Sequence, residues 1–398
     1  MATVVLVGTL DTKGAEYAWL RDRVRELGCD TVLVDAGVGP SEMDADVSAE
    51  EVARAGGASL EALRDAGDRG AAVTAMGEGA AAVLAGLERV DAVLAVGGSG
   101  GSSIAARAVR DLPIGLPKLI VSTMASGDVT PYVGAKDVTL MYSVVDIAGV
   151  NRVSRLILGN AAAAAAGMAK AYEPSGAEDD RPLVGASMFG VTTPAVDAAR
   201  ERLDELGYEV LVFHATGAGG RALEGLVESG LLAGVLDLTT TELADDLVGG
   251  VLSAGPDRLT AAGKHGIPQV VAPGALDMVN FGPRETVPER FQGRNLYVHN
   301  PTVTLMRTTP EEMAELGRRV ASKLAAATGP AVLFLPLGGV SALDASGMPF
   351  HDPEADAACF AAMEGAVETE RLDMNINDPA FGRAMADRLH RMISEEAQ

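Results

Sequence analysis

A chain of 398 residues is long for one ordinary domain and suggests two of about 200 residues each. Hydrophobic residues at 48% and charged residues at 22% exclude wholesale disorder, and a formal charge of −23 argues against nucleic acid or an anionic membrane as partner. Two cysteines, Cys29 and Cys359, without a CxxC pair or a dense His/Cys cluster, exclude a disulfide scaffold or a structural zinc site and point to the cytoplasm.

The opening stretch MATVVLVGTLDTKG lacks the basic region of a secretion signal. The alanine run at 161–166 falls far short of the roughly 18 apolar residues of a membrane span and suits a closely packed helix. In chain order, β-branched apolar runs at 3–7, 31–34, 92–96 and 119–121 predict strands that alternate with helical patterns. The run 142–168 reads as one long helix. The same alternation resumes with strands at 183–186, 210–213, 235–238 and 269–272. A further strand at 331–335 precedes two helices announced by Asp352-Pro353 and Asp378-Pro379, each an N-cap followed by a proline suited to the first turn.

The two halves repeat each other. Strand 4–7 leads into a helix with an apolar stripe at Tyr17, Leu20, Val24 and Leu27, stopped by Gly28. Strand 183–186 leads, through Pro194, into Val196, Ala199, Leu203 and Leu206, stopped by Gly207 at the same offset. DAVLAVGG (91–98) echoes GVLDLTTT (234–241), and LPKLIVS (116–122) echoes IPQVVAP (267–273). The polar segment 173–182, with two prolines and a glycine, reads as the linker. The fold class expected is therefore α/β: two tandem Rossmann-like subdomains with parallel sheets, spanning 1–175 and 181–398, and a cleft between them.

Three junctions carry candidate chemistry. Gly97-Gly98-Ser99-Gly100-Gly101-Ser102-Ser103 follows a strand and precedes a helix beginning near Ile104. Glycines there let the main chain approach an anion, and a helix start offers unpaired N–H groups. The run matches neither GxxxxGK[ST] nor GxGxxG, and a plain flexible turn is the competing reading. Gly8-Thr9-Leu10-Asp11-Thr12-Lys13 occupies a second such junction. Asp11 or Thr12 can cap the helix, yet a lysine beside a helix start is disfavoured unless an anion sits there. Both loops follow strands of a parallel sheet, where ligands of open α/β folds collect, and Asp11 could meet Mg²⁺ carried on a phosphate. Ser122 ends the neighbouring strand and opens the hydroxyl-rich turn 122–128, which either binds ligand or is only a turn.

The second half replaces the glycine run by Thr239-Thr240-Thr241-Glu242 and the lysine by Thr192. Its own polar stretch, 272–283, offers Asp277, with His299 and Arg307 shortly after. Asp277 or His299 as acid/base and Arg307 as anion clamp would make a reactive centre; a helix cap and a structural histidine are the plain alternatives. His351, Asp352, Glu354 and Asp356 look metal-like, but capping and a solvated acidic face explain them.

The segments GTLDTK (8–13), GGSGGSS (97–103), STMASGD (122–128), SVVDIAGVNRVSR (143–155), APGALDMVNFGP (272–283), HNPTVTLMRTT (299–309), PLGGVSALD (336–344) and INDPAF (376–381) run in the order found in the Tm-1-like ATP-binding family, which the chain resembles over essentially its whole length. That resemblance implies two Rossmann-like subdomains, a homodimer, and an ATP and Mg²⁺ site on Gly8, Thr9, Asp11, Thr12, Lys13 and on Gly97, Gly98, Ser99, Gly100, Gly101 and Ser102. The family pattern usually has threonine at Ser102 and histidine at Asn375. The function expected is that of an ATP-dependent enzyme acting on a small carboxylated metabolite. A nucleotide-dependent protein-binding module and a sugar-nucleotide epimerase-like enzyme are the alternatives.

Overall fold

The computed structural model describes residues 1–172 and 181–396, so the predicted linker lies almost entirely outside the described residues. The chain divides into two compact units, Met1–Ala177 and Glu178–Gln398. No helix among the described residues is long and apolar enough to cross a membrane.

The first unit holds strands β1 (Thr3–Gly8), β2 (Asp30–Asp35), β3 (Ala92–Gly97), β4 (Lys118–Ser122) and β5 (Val138–Tyr142). They form one parallel sheet in the order β2-β1-β3-β4-β5. All six residues of β1 and of β3 are buried, as a parallel sheet covered by helices on both faces requires. One face packs on the helix Leu10–Glu26 and on Arg152–Ala171, whose alanines 161, 162, 165 and 166 let it lie close to the sheet. The other face packs on Ala49–Ala55, Arg69–Gly86 and Ser99–Val109.

The second unit holds β6 (Leu183–Met188), β7 (Glu209–His214), β8 (Leu232–Thr239), β9 (Gln269–Gly274), β10 (Met278–Phe281), β11 (Leu296–Asn300), β12 (Val303–Arg307), β13 (Ala331–Pro336) and β14 (Glu368–Leu372). Its parallel sheet runs β14-β13-β9-β8-β6-β7, so the first four strands are arranged as in the first unit. Gly28 (φ +77°) and Gly207 (φ +93°) are left-handed residues just past equivalent helices, the role their matching offsets predict. The fold is thus two tandem Rossmann-like α/β units with parallel sheets, both built on the order 2-1-3-4.

Three elements differ from the sequence expectation. β5 ends at Tyr142, and the following helix starts only at Arg152, because Asn151 accepts hydrogen bonds from the amides of Val153 and Ser154 and caps it. The glycine run is not a loop before a helix: residues 99–103 are the first turn of Ser99–Val109 itself. Between β9 and β13 lies an antiparallel sheet, β10-β12-β11, whose short strands give too little alternation to read.

β1 and β3 are paired from Val4↔Ala92 to Val7↔Ala95. Beyond that point the buried Tyr17 hydroxyl takes over the pairing. It accepts from the Val96 amide at 2.8 Å and donates to the Val7 carbonyl at 2.5 Å. The ring lies where a side chain at residue 8 would be: a Cβ on Gly8 would stand 2.0 Å from Tyr17 Cζ. Gly8 therefore serves the ring, and the carboxyl ends of β1 and β3 part above it. Tyr17→Phe leaves these buried main-chain groups short of a partner and should lower unfolding free energy by about 1–3 kcal/mol. Urea denaturation checks this, with the midpoint falling and the slope unchanged.

Candidate functional site

β1 and β3 are neighbours, about 4.8 Å apart, and the strand order reverses between them, since β2 lies on one side of β1 and β4 beyond β3. In open α/β sheets the crevice at such a reversal is where ligands bind. A cavity of about 500 Å³ lies here. Thr9, Asp11, Thr12 and Lys13 line it from the β1 junction, and Gly98, Ser99, Gly100 and Gly101 from the β3 junction. The structure brings these eight predicted residues together.

The β3 side is a bare helix start. Gly98 is the N-cap and has no side chain to cap with, while the Ser102 amide is the first to bond back, to Gly98 at 2.8 Å. The amides of Ser99, Gly100 and Gly101 are left without intrahelical acceptors, at the positive end of an eleven-residue helix.

On the β1 side the expected cap is not formed. Helix Leu10–Glu26 begins after Thr9 with no side-chain cap, and Asp11 turns to the β2 junction instead. Its Oδ2 accepts from the amides of Val38 (3.2 Å) and Gly39 (2.7 Å), and its Oδ1 is buried without a partner. A Cβ on Gly37 or Gly39 would come within 2.7 or 2.8 Å of the carboxylate, so Asp11 requires both glycines. Lys13 departs from helical geometry (φ −129°) and donates to the Ile147 carbonyl while still lining the cavity. The carbonyl accounts for part of what capping left unexplained at this lysine.

Four predicted contacts do not reach the cavity. Gly8 lies under the Tyr17 ring, and Gly97 packs on the backbone of Gly101, 2.8 Å from where its Cβ would be. Ser102 and Ser122 are buried and share a hydrogen bond of 2.6 Å, which ties the helix to β4 instead of facing a ligand.

Sequence reasoning missed the remaining walls. Ala36 and Val38 after β2, with Leu63, Ala72, Val73 and Ile104, form an apolar side. Arg64 donates to the carbonyls of Val38 (2.5 Å) and Gly39 (3.3 Å), so the β2 loop is held by Asp11 through its amides and by Arg64 through its carbonyls. Arg69 stands at the first position of Arg69–Gly86. The available signal was Gly37-Val38-Gly39 directly after a strand, a third junction of the same kind.

At the equivalent place in the second unit the crevice is filled. Thr192 and Thr239 meet hydroxyl to hydroxyl at 2.7 Å, and Thr239, Thr240, Thr241 and Glu242 have no exposed surface. Glu242 accepts from the amides of Gly217 and Gly220, the position an anionic ligand would take. Arg258, buried, pairs with Glu242 at 2.6 Å, with both oxygens of Asp237 at 2.5 Å and with Glu224 at 3.1 Å.

Asp277 and Arg307 meet in one buried cluster with Asp344, but His299 is not brought to them. His299 is exposed on β11, against the far end of β12 from Arg307. Arg307 is no free anion clamp: it is buried and committed to Asp356 (3.0 Å), Asp344 (3.4 Å) and the Phe350 carbonyl (2.8 Å). Asp277 is fully buried, takes a hydrogen bond from Ser341 at 2.7 Å, and has its Oδ1 unpartnered. Asp352 caps Pro353–Met363 as expected, but Asp356 does not lie on a solvated face: it is buried against Arg307. Among the described residues no group of three or more His, Cys, Asp or Glu could hold a metal. Asn375, in place of the usual histidine, donates to the carbonyls of Gly338 and Ser341 and so ties two loops.

Burial pushes the carboxyls of Asp277 and Asp356 well up, and the Asp344 charge adds to it against the pull of Arg307. Burial also raises Asp245 to about 7, although two hydrogen bonds from Asn280 oppose the shift. Each group holds a proton in the folded chain at pH values where it is ionised in the unfolded one. Their contribution is therefore full below the ordinary carboxylate range and is lost as pH rises toward about 7. Unfolding free energy measured from about pH 5 to 8 should carry a falling component, and Asp277→Asn should flatten it by at most about 1.4 kcal/mol per pH unit. Arg258→Met, which strands buried carboxylates, should cost about 3–5 kcal/mol by the same measurement.

Comparison with known proteins gives the chain's relations. Residues 2–174 match the N-terminal domain, and residues 181–393 the C-terminal domain, of the uncharacterised protein family UPF0261. A UPF0261 protein of Clostridium tetani is 52% identical over 98% of this chain and 99% of its own length. The ToMV susceptible protein tm-1(GCR26) of Solanum lycopersicum is 41% identical over 96% of this chain, which spans 55% of the tomato protein. The ToMV resistance protein Tm-1(GCR237) is 48% identical over 74% of this chain and 40% of its own length. Among solved structures, the Streptomyces sp. SF2575 glycosyltransferase SsfS6, complexed with thymidine diphosphate, is 14% identical over 99% of this chain and 96% of that chain, with a TM-score of 0.21. With both of its units matched end to end, the chain belongs to the UPF0261 family, which includes the tomato Tm-1 proteins.

Proposed function

We propose that the first unit binds a nucleoside triphosphate, ATP with its Mg²⁺, in the cavity at the ends of β1 and β3. The observation that carries this reading is the convergence of uncapped amides at Ser99, Gly100 and Gly101 with Lys13 on one cavity of about 500 Å³, in a chain of net charge −23. Helix-start amides favour phosphate oxygens, and a cavity of that volume lies in the range of small-molecule sites. The apolar side formed by Val38, Leu63, Ala72, Val73 and Ile104 suits the flat face of a base. The triphosphate would rest on the amides, with Lys13 neutralising it.

The free Oδ1 of Asp11 is one carboxylate oxygen, which suits a cation arriving on the phosphates better than a resident metal. Bound ATP would supply a phosphoryl or nucleotidyl group to a second substrate. The residues expected to meet a carboxylated metabolite are turned inward: Arg307 is committed to Asp356 and Asp277 is fully buried in the second unit. Binding is therefore the part of the reading that the geometry supports best. Unlike the first unit, the second has this crevice filled by its own side chains, so one nucleotide per chain is expected.

Calorimetric titration with Mg-ATP tests the proposal. A stoichiometry of one per chain is expected, with affinity lowered about tenfold or more by Lys13→Ala and by Gly100→Val, which fills the space beside the amides. Unchanged affinity in both variants would remove the site.

A further inference from the structure

Lys13 has three carboxylates for neighbours and, among the described residues, pairs with none of them. In a chain of 55 acidic and 32 basic residues that outcome needs a cause. Asp11, two residues before it, is taken by the amides of Val38 and Gly39. Glu16, three residues after it on the same helix, stands where an ion pair along a helix would form. Yet Glu16 is buried, at 2% exposure, and its Oε1 accepts from the amide of Gly149 at 2.6 Å. Asp146 accepts from the amide of Ile147 at 2.8 Å. The Lys13 ammonium itself donates to the Ile147 carbonyl, a neutral partner. An ammonium has three donors, so the carbonyl leaves two for an anion.

Two of these contacts come from one segment. Residues 143–151 run from the end of β5 to the cap of Arg152–Ala171 as a strap along the start of Leu10–Glu26. The strap's carbonyl at Ile147 holds the lysine, and its amide at Gly149 holds the glutamate. The Ile147 side chain is buried in the same core as Leu10, Tyr17 and Leu20. Nearer β5, the Ser143 hydroxyl donates to the Val145 carbonyl at 2.7 Å, and the Ser143 carbonyl accepts from the Val145 amide. That tight turn keeps Val144 at φ +62°, a conformation a β-branched residue holds only where its surroundings fix it. Resting on the nucleotide reading above, we propose that this strap is a positioning element of the cavity. By binding Glu16 through an amide and Lys13 through a carbonyl, it keeps the two side chains apart and leaves the ammonium's charge for the phosphates. With the strap lifted, Lys13 and Glu16 would close on each other as an i,i+3 pair, and the cavity would lose its cation. Neither Glu16 nor Gly149 lines the cavity; both act through Lys13.

Calorimetric titration of the full chain with Mg-ATP tests this in a cycle of variants. Gly149→Pro removes the amide and cannot adopt the φ of +77° found there, so it frees the strap from Glu16. It should lower affinity about fivefold, the worth of one ion pair competing for the lysine. Glu16→Gln alone should leave affinity within about twofold, because its side-chain oxygen still accepts from Gly149. Added to Gly149→Pro, the same change should restore most of the loss, since no carboxylate is left for Lys13 to pair with. In the Lys13→Ala chain, Gly149→Pro should cost nothing further. Gly149→Ala, which keeps the amide, should give a smaller loss that Glu16→Gln restores in the same way. No loss in either Gly149 variant, no rescue by Glu16→Gln, or an equal loss with and without Lys13 overturns the strap's role while leaving the nucleotide site in place. Failure of the wild-type chain to bind Mg-ATP overturns both.

Discussion

The first unit depends on one tyrosine. The parallel pairing of β1 and β3 stops at Val7↔Ala95, short of the ends of both strands. The Tyr17 hydroxyl replaces the next rung of the ladder, bonding to Val7 on one strand and Val96 on the other. Buried main-chain groups must be paired, so the exchange is possible only because the phenol both donates and accepts. The ring in turn excludes any side chain at Gly8. Beyond that wedge the two strands lead into the helix starts that border the cavity.

The two units show how one topology is put to two uses. Both place a reversal of strand order between the first and third strands, and both end those strands at helix starts. In the first, glycines leave the main chain bare. In the second, threonines close the gap and Glu242 takes amides from the neighbouring helix start. A carboxylate fixed there needs a counter-ion, and Arg258 supplies it, with Asp237 and Glu224 satisfying the rest of the guanidinium. Such a network is costly to desolvate but strongly resists removal of any one member. The second unit has thus built its anion into the chain.

Loops held by opposed polar contacts give the first unit's cavity its shape. The β2 loop is gripped through its amides by Asp11 and through its carbonyls by Arg64, which come from helices on opposite sides of it. Asp11 does not cap its own helix because two amides of the turn after β2, those of Val38 and Gly39, take its Oδ2, while the third, of Gly37, bonds to Asp35. Arg64 and Arg69 carry no motif and lie on two helices, Leu60–Ala66 and Arg69–Gly86, more than fifty residues from the lysine they accompany. Only folding brings them near it.

Much of the architecture was legible because it rests on periodicity. Buried parallel strands must be continuously apolar, helices must show a stripe, and their left-handed stops must be glycine, so the repeat and the strand sequence follow from spacing alone. The glycine and lysine junctions were legible for a similar local reason, since bare main chain at a helix start needs glycine. Tertiary structure alone decided which polar residues face space and which face each other. Ser102, Ser122, Asp277 and Arg307 have the chemistry of site residues but are buried among partners distant in sequence. Residue type sets what a side chain can bond to; the long-range packing that supplies its partner determines whether any of that capacity is left for a ligand.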